Sequence, residues 1–83
     1  MMKGNNMDEF YRLSTVTGRK YNVFDTVKIL NIQQACSYMD NDVFPVDIKV
    51  SKDQNTGRKC LVFYFDREES HDVYDKWCKW ELK

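Results

Sequence analysis

"KCLVFYFDREES", Lys59 to Ser70, is the stretch on which the reading of the fold turns. Its first seven residues place Leu61, Phe63 and Phe65 on one strand face and Cys60, Val62 and Tyr64 on the other. A strand with one wet face alternates apolar and polar residues, whereas a strand apolar on both faces must be covered on both. Lys59 to Phe65 is therefore predicted to be a central strand. Asp66 ends it and, with Glu69 three residues on, has the pattern of a capping box. A helix is predicted from about Arg67 to Glu81, with Val73, Tyr74, Trp77, Cys78 and Trp80 spread over about half its circumference.

Upstream, Val46, Ile48 and Val50 alternate with Asp47 and Lys49, the period of a strand with one solvated face. Pro45 cannot donate to a ladder and suits the start of that strand. "SKDQNTG" then turns the chain back into Lys59. Before this hairpin, Asn31 and Gln34 have capping-box spacing, and Ile32, Ala35, Cys36 and Met39 fall on one helical face. Asp40-Asn41-Asp42 ends that helix. Val27 to Leu30 reads as a short strand, and Phe10 to Phe24 as a hairpin in which Tyr11, Leu13 and Thr15 alternate with Arg12 and Ser14. The order is ββ(β)αββα. The expected fold is α+β, one small antiparallel sheet built from two hairpins with two helices packed on it. The 83 residues give room for a single domain, 1–83, with 1–8 as a loose lead-in.

Both hairpins contain "TGRK", as Thr17 to Lys20 and Thr56 to Lys59. A phosphate-binding loop needs a longer glycine-rich segment between strand and helix, ending in Gly-Lys-Ser/Thr. Here one glycine precedes two basic residues and a strand. Positive φ at a turn explains both copies more simply than phosphate binding.

Basic and acidic residues balance at 13 each, so the chain lacks an overall field that would attract nucleic acid. A local basic patch remains: Lys49, Lys52, Arg58 and Lys59 outweigh Asp53 to give residues 49–60 a net charge of +3. With Phe63-Tyr64-Phe65 adjacent, this hairpin is the candidate nucleic-acid surface. Against it stand the carboxylates of the following segment, Asp66, Glu68, Glu69, Asp72 and Asp75, expected to repel a phosphate backbone. No run approaches a membrane span, and the first ten residues lack the apolar stretch of a signal peptide, so a cytoplasmic protein with no membrane partner is expected.

Cys36, Cys60, Cys78 and His71 include no closely spaced ligand pair, and no metal or other cofactor is expected. Cys36 and Cys78 fall on apolar helix stripes and Cys60 in a strand, which predicts buried thiols. His71 and Asp72 are helix neighbours that point in different directions, so they do not form an orienting pair. With no serine elbow or cofactor loop, no catalytic residue is assigned and no enzyme is expected. Aromatics make up 14% of the chain, more than a small core readily buries. Trp77, Trp80, Tyr74 and Tyr38 are therefore the candidate partner contacts, since Trp and Tyr are common interface anchors.

"ILNIQQACSYMDNDVFPVDIKV" and "LVFYFDREESHDVYDKWCKWEL" together resemble a family of small uncharacterised proteins encoded by phages and mobile elements of Gram-positive bacteria. The likeness covers about residues 29–82. It lies in Asn31, Gln34-Ala35, Tyr38, Pro45-Val46-Asp47, Phe63 to Phe65, Asp66, Glu68, Tyr74 and Trp77. The resemblance implies an α+β domain in a phage or mobile-element setting and carries no activity with it. The expected function is non-enzymatic binding of a bacterial host protein, such as a defence factor, or of a second copy as a homodimer. The alternative is a nucleic-acid-binding accessory protein using the 49–60 hairpin.

Overall fold

The computed structural model describes residues 10–81, so the expected lead-in (residues 1–8) lies outside the described residues. The strands are β1 (Tyr11–Leu13), β2 (Lys20–Asn22), β3 (Thr26–Ile29), β4 (Asp47–Lys52) and β5 (Lys59–Asp66). The helices are α1 (Ile32–Asp40), between β3 and β4, and α2 (Arg67–Cys78), after β5. The α+β class and the element order are those read from the sequence, with β5 at the centre of a β3-β5-β4 antiparallel sheet.

One difference is architectural. Among the described residues the strands fall into two sheets, because β1 and β2 pair with each other and with no other described strand. What attaches this hairpin is side-chain bonding instead of a main-chain ladder: a buried polar cluster, with Arg19 adding an exposed ion pair to Glu69 at 2.7 Å and a 3.4 Å bond to the Phe44 carbonyl. Ser14 Oγ donates to Asp47 Oδ1 at 2.7 Å, and the Tyr21 hydroxyl donates to Asp47 Oδ2 at 2.5 Å. Thr17 Oγ1 donates to the Val46 carbonyl at 2.7 Å. The Tyr21 ring lies 6.3 Å from that of Tyr64, so the hairpin partly covers the β5 face that the helices leave open. Asp47, read as part of a solvated face, is only 5% exposed. A charge buried that deeply requires hydrogen bonds, and the hairpin supplies them.

Register shows how the faces divide. Ile48 lies opposite Phe63 on one side of β5, and Ile29 opposite Phe63 on the other. Together with Val27 and Phe65, these side chains form the floor on which the helices sit. The core joins Ile29, Phe63 and Phe65 of the sheet to Ala35 and Tyr38 of α1 and Val73 of α2. Asn31 and Asp66 cap the helices as expected, their side chains accepting from the N–H groups of Gln34 and Glu69.

The buried face of α1 overlaps the one the spacing suggested, with Ala35 buried and Met39 packed against the core, but it is rotated. Ile32 is 58% exposed and Cys36 is also exposed, while Tyr38 is fully buried. At about 100° per residue, the inward face is turned roughly 60° toward Tyr38. The larger ring takes the central position, packing edge-on to Phe65 with centroids 5.0 Å apart. Gln34 Nε2 donates to its hydroxyl at 2.8 Å, which satisfies the polar tip.

Candidate functional site

The C-terminus of α2 carries the most exposed aromatic side chain. Trp80 N–H donates to the Trp77 carbonyl at 3.1 Å, and Glu81 N–H to the Lys76 carbonyl at 2.9 Å. This bond pair is a Schellman closure, in which the residue after the cap adopts the left-handed conformation usually assigned to glycine. Trp80 occupies it at φ 61° and is 87% exposed. A left-handed backbone costs a non-glycine residue about 1–2 kcal/mol. Trp80 therefore gains little packing and sits in an unfavourable conformation.

The four aromatic candidates separate by position. Tyr74 is 53% exposed and Trp80 is open, so both are available to a partner. Trp77 is half-buried and packs against the core. Tyr38 is a core residue, and its assignment as a surface contact does not survive: no partner reaches it while the domain is folded. Val73 and Ser70 are the buried residues of α2, so its inward stripe is narrower than expected. Narrowing leaves Tyr74 outside and places Cys78 at the surface. Cys36 is likewise exposed, correcting the expectation that these helix thiols are buried, while Cys60 is half-buried.

The two TGRK turns share one geometry. Gly18 and Gly57 have φ of 76° and 72°, and each donates its N–H back to the residue four before it, Ser14 or Asp53. Ser14 Oγ and Asp53 Oδ1 each accept from the N–H groups two and three residues ahead. Thr17 and Thr56 each accept through Oγ1 from the N–H of the following arginine, Arg19 or Arg58. Glycine, threonine and the leading Ser or Asp thus satisfy the turn's own backbone. The repeated word has a structural basis as a turn.

Lys49, Lys52, Arg58 and Lys59 are all exposed. Lys52 and Lys59 stand directly opposite in the β4–β5 ladder, a like-charge pairing that does not favour the hairpin. Lys49 Nζ lies 5.6 Å from the Tyr64 ring centroid, with Lys28 Nζ at 5.9 Å from the same ring. Asp66 is seven residues along β5 from Lys59, about 23 Å by strand rise. The acidic first turn of α2 therefore lies at the far end from the basic tip, beyond the ~8–10 Å screening length. The repulsion expected from those nearest carboxylates is weaker than sequence proximity suggested.

Electrostatic shifts mark the hairpin junction. Burial pushes up the Tyr21 hydroxyl, and its bond to Asp47 adds to this, taking the pKa to about 12. Burial also raises the Asp47 carboxyl, but bonds from Tyr21, Ser14 and the Ile48 N–H, with Lys49 nearby, hold it below its ordinary value. Sequence periodicity missed this cluster. No local pattern marks it, because the partners of Asp47 are 33 and 26 residues away.

Among the described residues, no group of three or more His, Cys, Asp or Glu side chains is arranged to hold a metal ion. No described helix is long and apolar enough to cross a membrane. No family model, curated protein or solved structure matches the chain.

Proposed function

We propose that this chain is a small non-enzymatic protein-binding module acting in the cytoplasm of a bacterial host, in a phage or mobile-element setting. There it engages a host factor, such as a defence component, through the C-terminal end of α2. Trp80 is the principal contact and Tyr74 the flanking one, with Trp77 supporting them from the core. The observation that carries this reading is Trp80 itself, open to solvent in a left-handed conformation that glycine would adopt more easily. Neither its packing nor its backbone helps the isolated domain, which is the character expected of a binding anchor. The host setting rests on the sequence resemblance over residues 29–82.

The test is a pull-down of the tagged protein from bacterial lysate, split into nuclease-treated and untreated halves. A protein retained in both halves and lost with Trp80→Ala, while the variant's thermal melt is unchanged, supports the reading. Retention with Trp80→Ala removes Trp80 from the interface.

A second reading has its own support. Among the described residues, Lys52, Arg58 and Lys59 form no ion pair, and they gather at one exposed hairpin tip far from Asp66. This is the local patch a nucleic-acid accessory protein would need, and Lys49 beside Tyr64 extends it. Phosphate contacts weaken steeply as salt rises, whereas an aromatic contact changes little. Capture that vanishes with nuclease would favour the basic hairpin over Trp80.

A further inference from the structure

The β3-β5-β4 sheet has two edges, and they differ in how they are covered. On the β4 side, the N-terminal hairpin is tied down by Ser14 and Tyr21 on Asp47 and by Thr17 on the Val46 carbonyl. Lys49 and Lys52 add charge, a common protection against further strand pairing. On the β3 side, no other described strand pairs with Thr26–Ile29. Beside that edge a groove of about 480 Å³ runs between β3 and α2, lined by Val27, Lys28 and Ile29 of the strand and by helix residues from Arg67 to Asp75 that include His71 and Tyr74. Exposed apolar side chains bracket the strand along the chain, Phe24 before it and Leu30 and Ile32 after it, and Tyr74 is exposed on the helix wall of the groove.

We propose that a second copy of this chain adds to the β3 edge, joining two three-stranded sheets into one continuous antiparallel sheet about a twofold axis. This goes beyond the binding role assigned to Trp80 and does not depend on it. In an antiparallel pair, residues directly opposite share a face, so a twofold normal to the sheet must pass through a residue position. Two registers can centre within β3. An axis at Lys28 sets Lys28 against its own copy, a like-charge opposition that destabilises the pair. An axis at Val27 sets an apolar residue against itself and places Lys28 opposite Thr26 of the second copy. Charge selects the Val27 register.

The same axis gives a reason for a second copy in place of an unrelated strand. A twofold interface is self-complementary: whatever residue i meets, its partner meets i in return. Val27 and His71 both line the groove, so an axis through this region makes the two α2 helices antiparallel neighbours. Arg67 and Asp75 are four residues either side of His71, about 6 Å along the helix in each direction. With His71 at the axis, Arg67 of each copy faces Asp75 of the other, giving two ion pairs of opposite sign. In the single chain, Asp75 meets Lys79 at 3.0 Å on the surface, and Arg67 makes only long bonds, 3.3 and 3.4 Å, to the Thr26 and Phe24 carbonyls. Both remain able to turn toward a partner.

Sedimentation velocity on the full 83-residue chain, from about 1 µM to about 500 µM, reads the association directly by mass action. The expected result is growth from the 10.0 kDa monomer to twice that mass. Arg67→Glu and Asp75→Arg should each weaken the dimer at least tenfold. An equimolar mixture of the two variants should restore it, because each mixed dimer regains both opposite-charge pairs. Trp80→Ala should leave the mass unchanged. A wild type that stays at 10.0 kDa throughout would overturn the proposal, and so would a dimer indifferent to both reversals. If Arg67→Glu fails to fold, hydrogen exchange on the wild type decides. Protection of the Thr26–Ile29 amides that rises with concentration supports the pairing, and protection that does not change refutes it.

Discussion

The Tyr21 hydroxyl donates to Asp47 Oδ2 at 2.5 Å, joining a two-stranded hairpin to the sheet beside it. With Ser14 on the other carboxylate oxygen, this buried side chain is the centre of the attachment between two described sheets that share no ladder, beside Thr17 on the Val46 carbonyl and Arg19 on Glu69. Removing the carboxylate leaves two hydroxyls without their acceptor. Hydrogen bonds to charged groups contribute about 1.5–3 kcal/mol each, so Asp47→Ala should cost roughly 3 kcal/mol or more and Tyr21→Phe about 1.5–3 kcal/mol. Urea denaturation measures both. Native-state hydrogen exchange should show the hairpin amides losing protection in Asp47→Ala before those of β5. Uniform loss across both sheets would mean that the hairpin is not separately attached.

The same pair sets a pH dependence with two limbs. The Asp47 carboxyl is held below its ordinary value, so its contribution is present above the unfolded pKa of ~4 and is lost as pH falls through the lower folded value. The Tyr21 hydroxyl is raised to about 12, so its contribution is complete below the unfolded pKa of ~10 and is lost as pH rises through the folded value. Stability should therefore decline below about pH 4 and again between about pH 10 and 12. Tyr21→Phe should reduce the alkaline decline, and the buried Tyr38 hydroxyl, also raised by burial, should account for what remains. An alkaline limb equally steep in that variant would assign it to another group.

Trp80 sets stability against binding. Glycine suits the left-handed closing position, and Trp80 buries little, so Trp80→Gly should stabilise the domain by about 1 kcal/mol. Trp80→Ala keeps the strained backbone and should be nearly neutral. Both should abolish partner capture if this side chain is the anchor. Asp42, at φ 65°, closes α1 in the same way and provides the comparison. Asp42→Gly should gain similar stability with no effect on capture. A thermal melt beside the pull-down separates the two effects.

Sequence legibility followed distance along the chain. The caps at Asn31 and Asp66 were readable because each side chain and its N–H partner are three residues apart. Central placement of β5 was readable because its apolar residues occupy both faces. The rotated face of α1 was not, because Tyr38 outcompetes Ile32 only through contacts with Phe65 in another element. Nor was the burial of Asp47, whose partners are 33 and 26 residues away. The exposure of Trp80 depends on a Schellman closure that ends α2 at Cys78, short of the expected Glu81. Non-local packing decided the first two; the closure after Cys78 is local but carries no glycine to announce it.

Gly18 and Gly57 test whether TGRK is a turn or a phosphate grip. A Cβ added to either would meet nothing within 4 Å, so alanine carries no steric clash with the rest of the fold. What remains is the left-handed backbone, about 1–2 kcal/mol for a non-glycine residue. Gly18→Ala and Gly57→Ala should therefore destabilise by about the same amount, since both turns make the same backbone bonds. Replacing Arg58 and Lys59, which form no ion pair among the described residues, with glutamine keeps the glycine and should change the urea midpoint far less. At the first turn Lys20→Gln is the matching change, because Arg19 also bonds Glu69 at 2.7 Å. A phosphate grip gives the reverse pattern in titration with inorganic phosphate, with affinity lost on removing the basic pairs. The shared turn geometry predicts a stability effect at the glycines and no phosphate affinity at either pair.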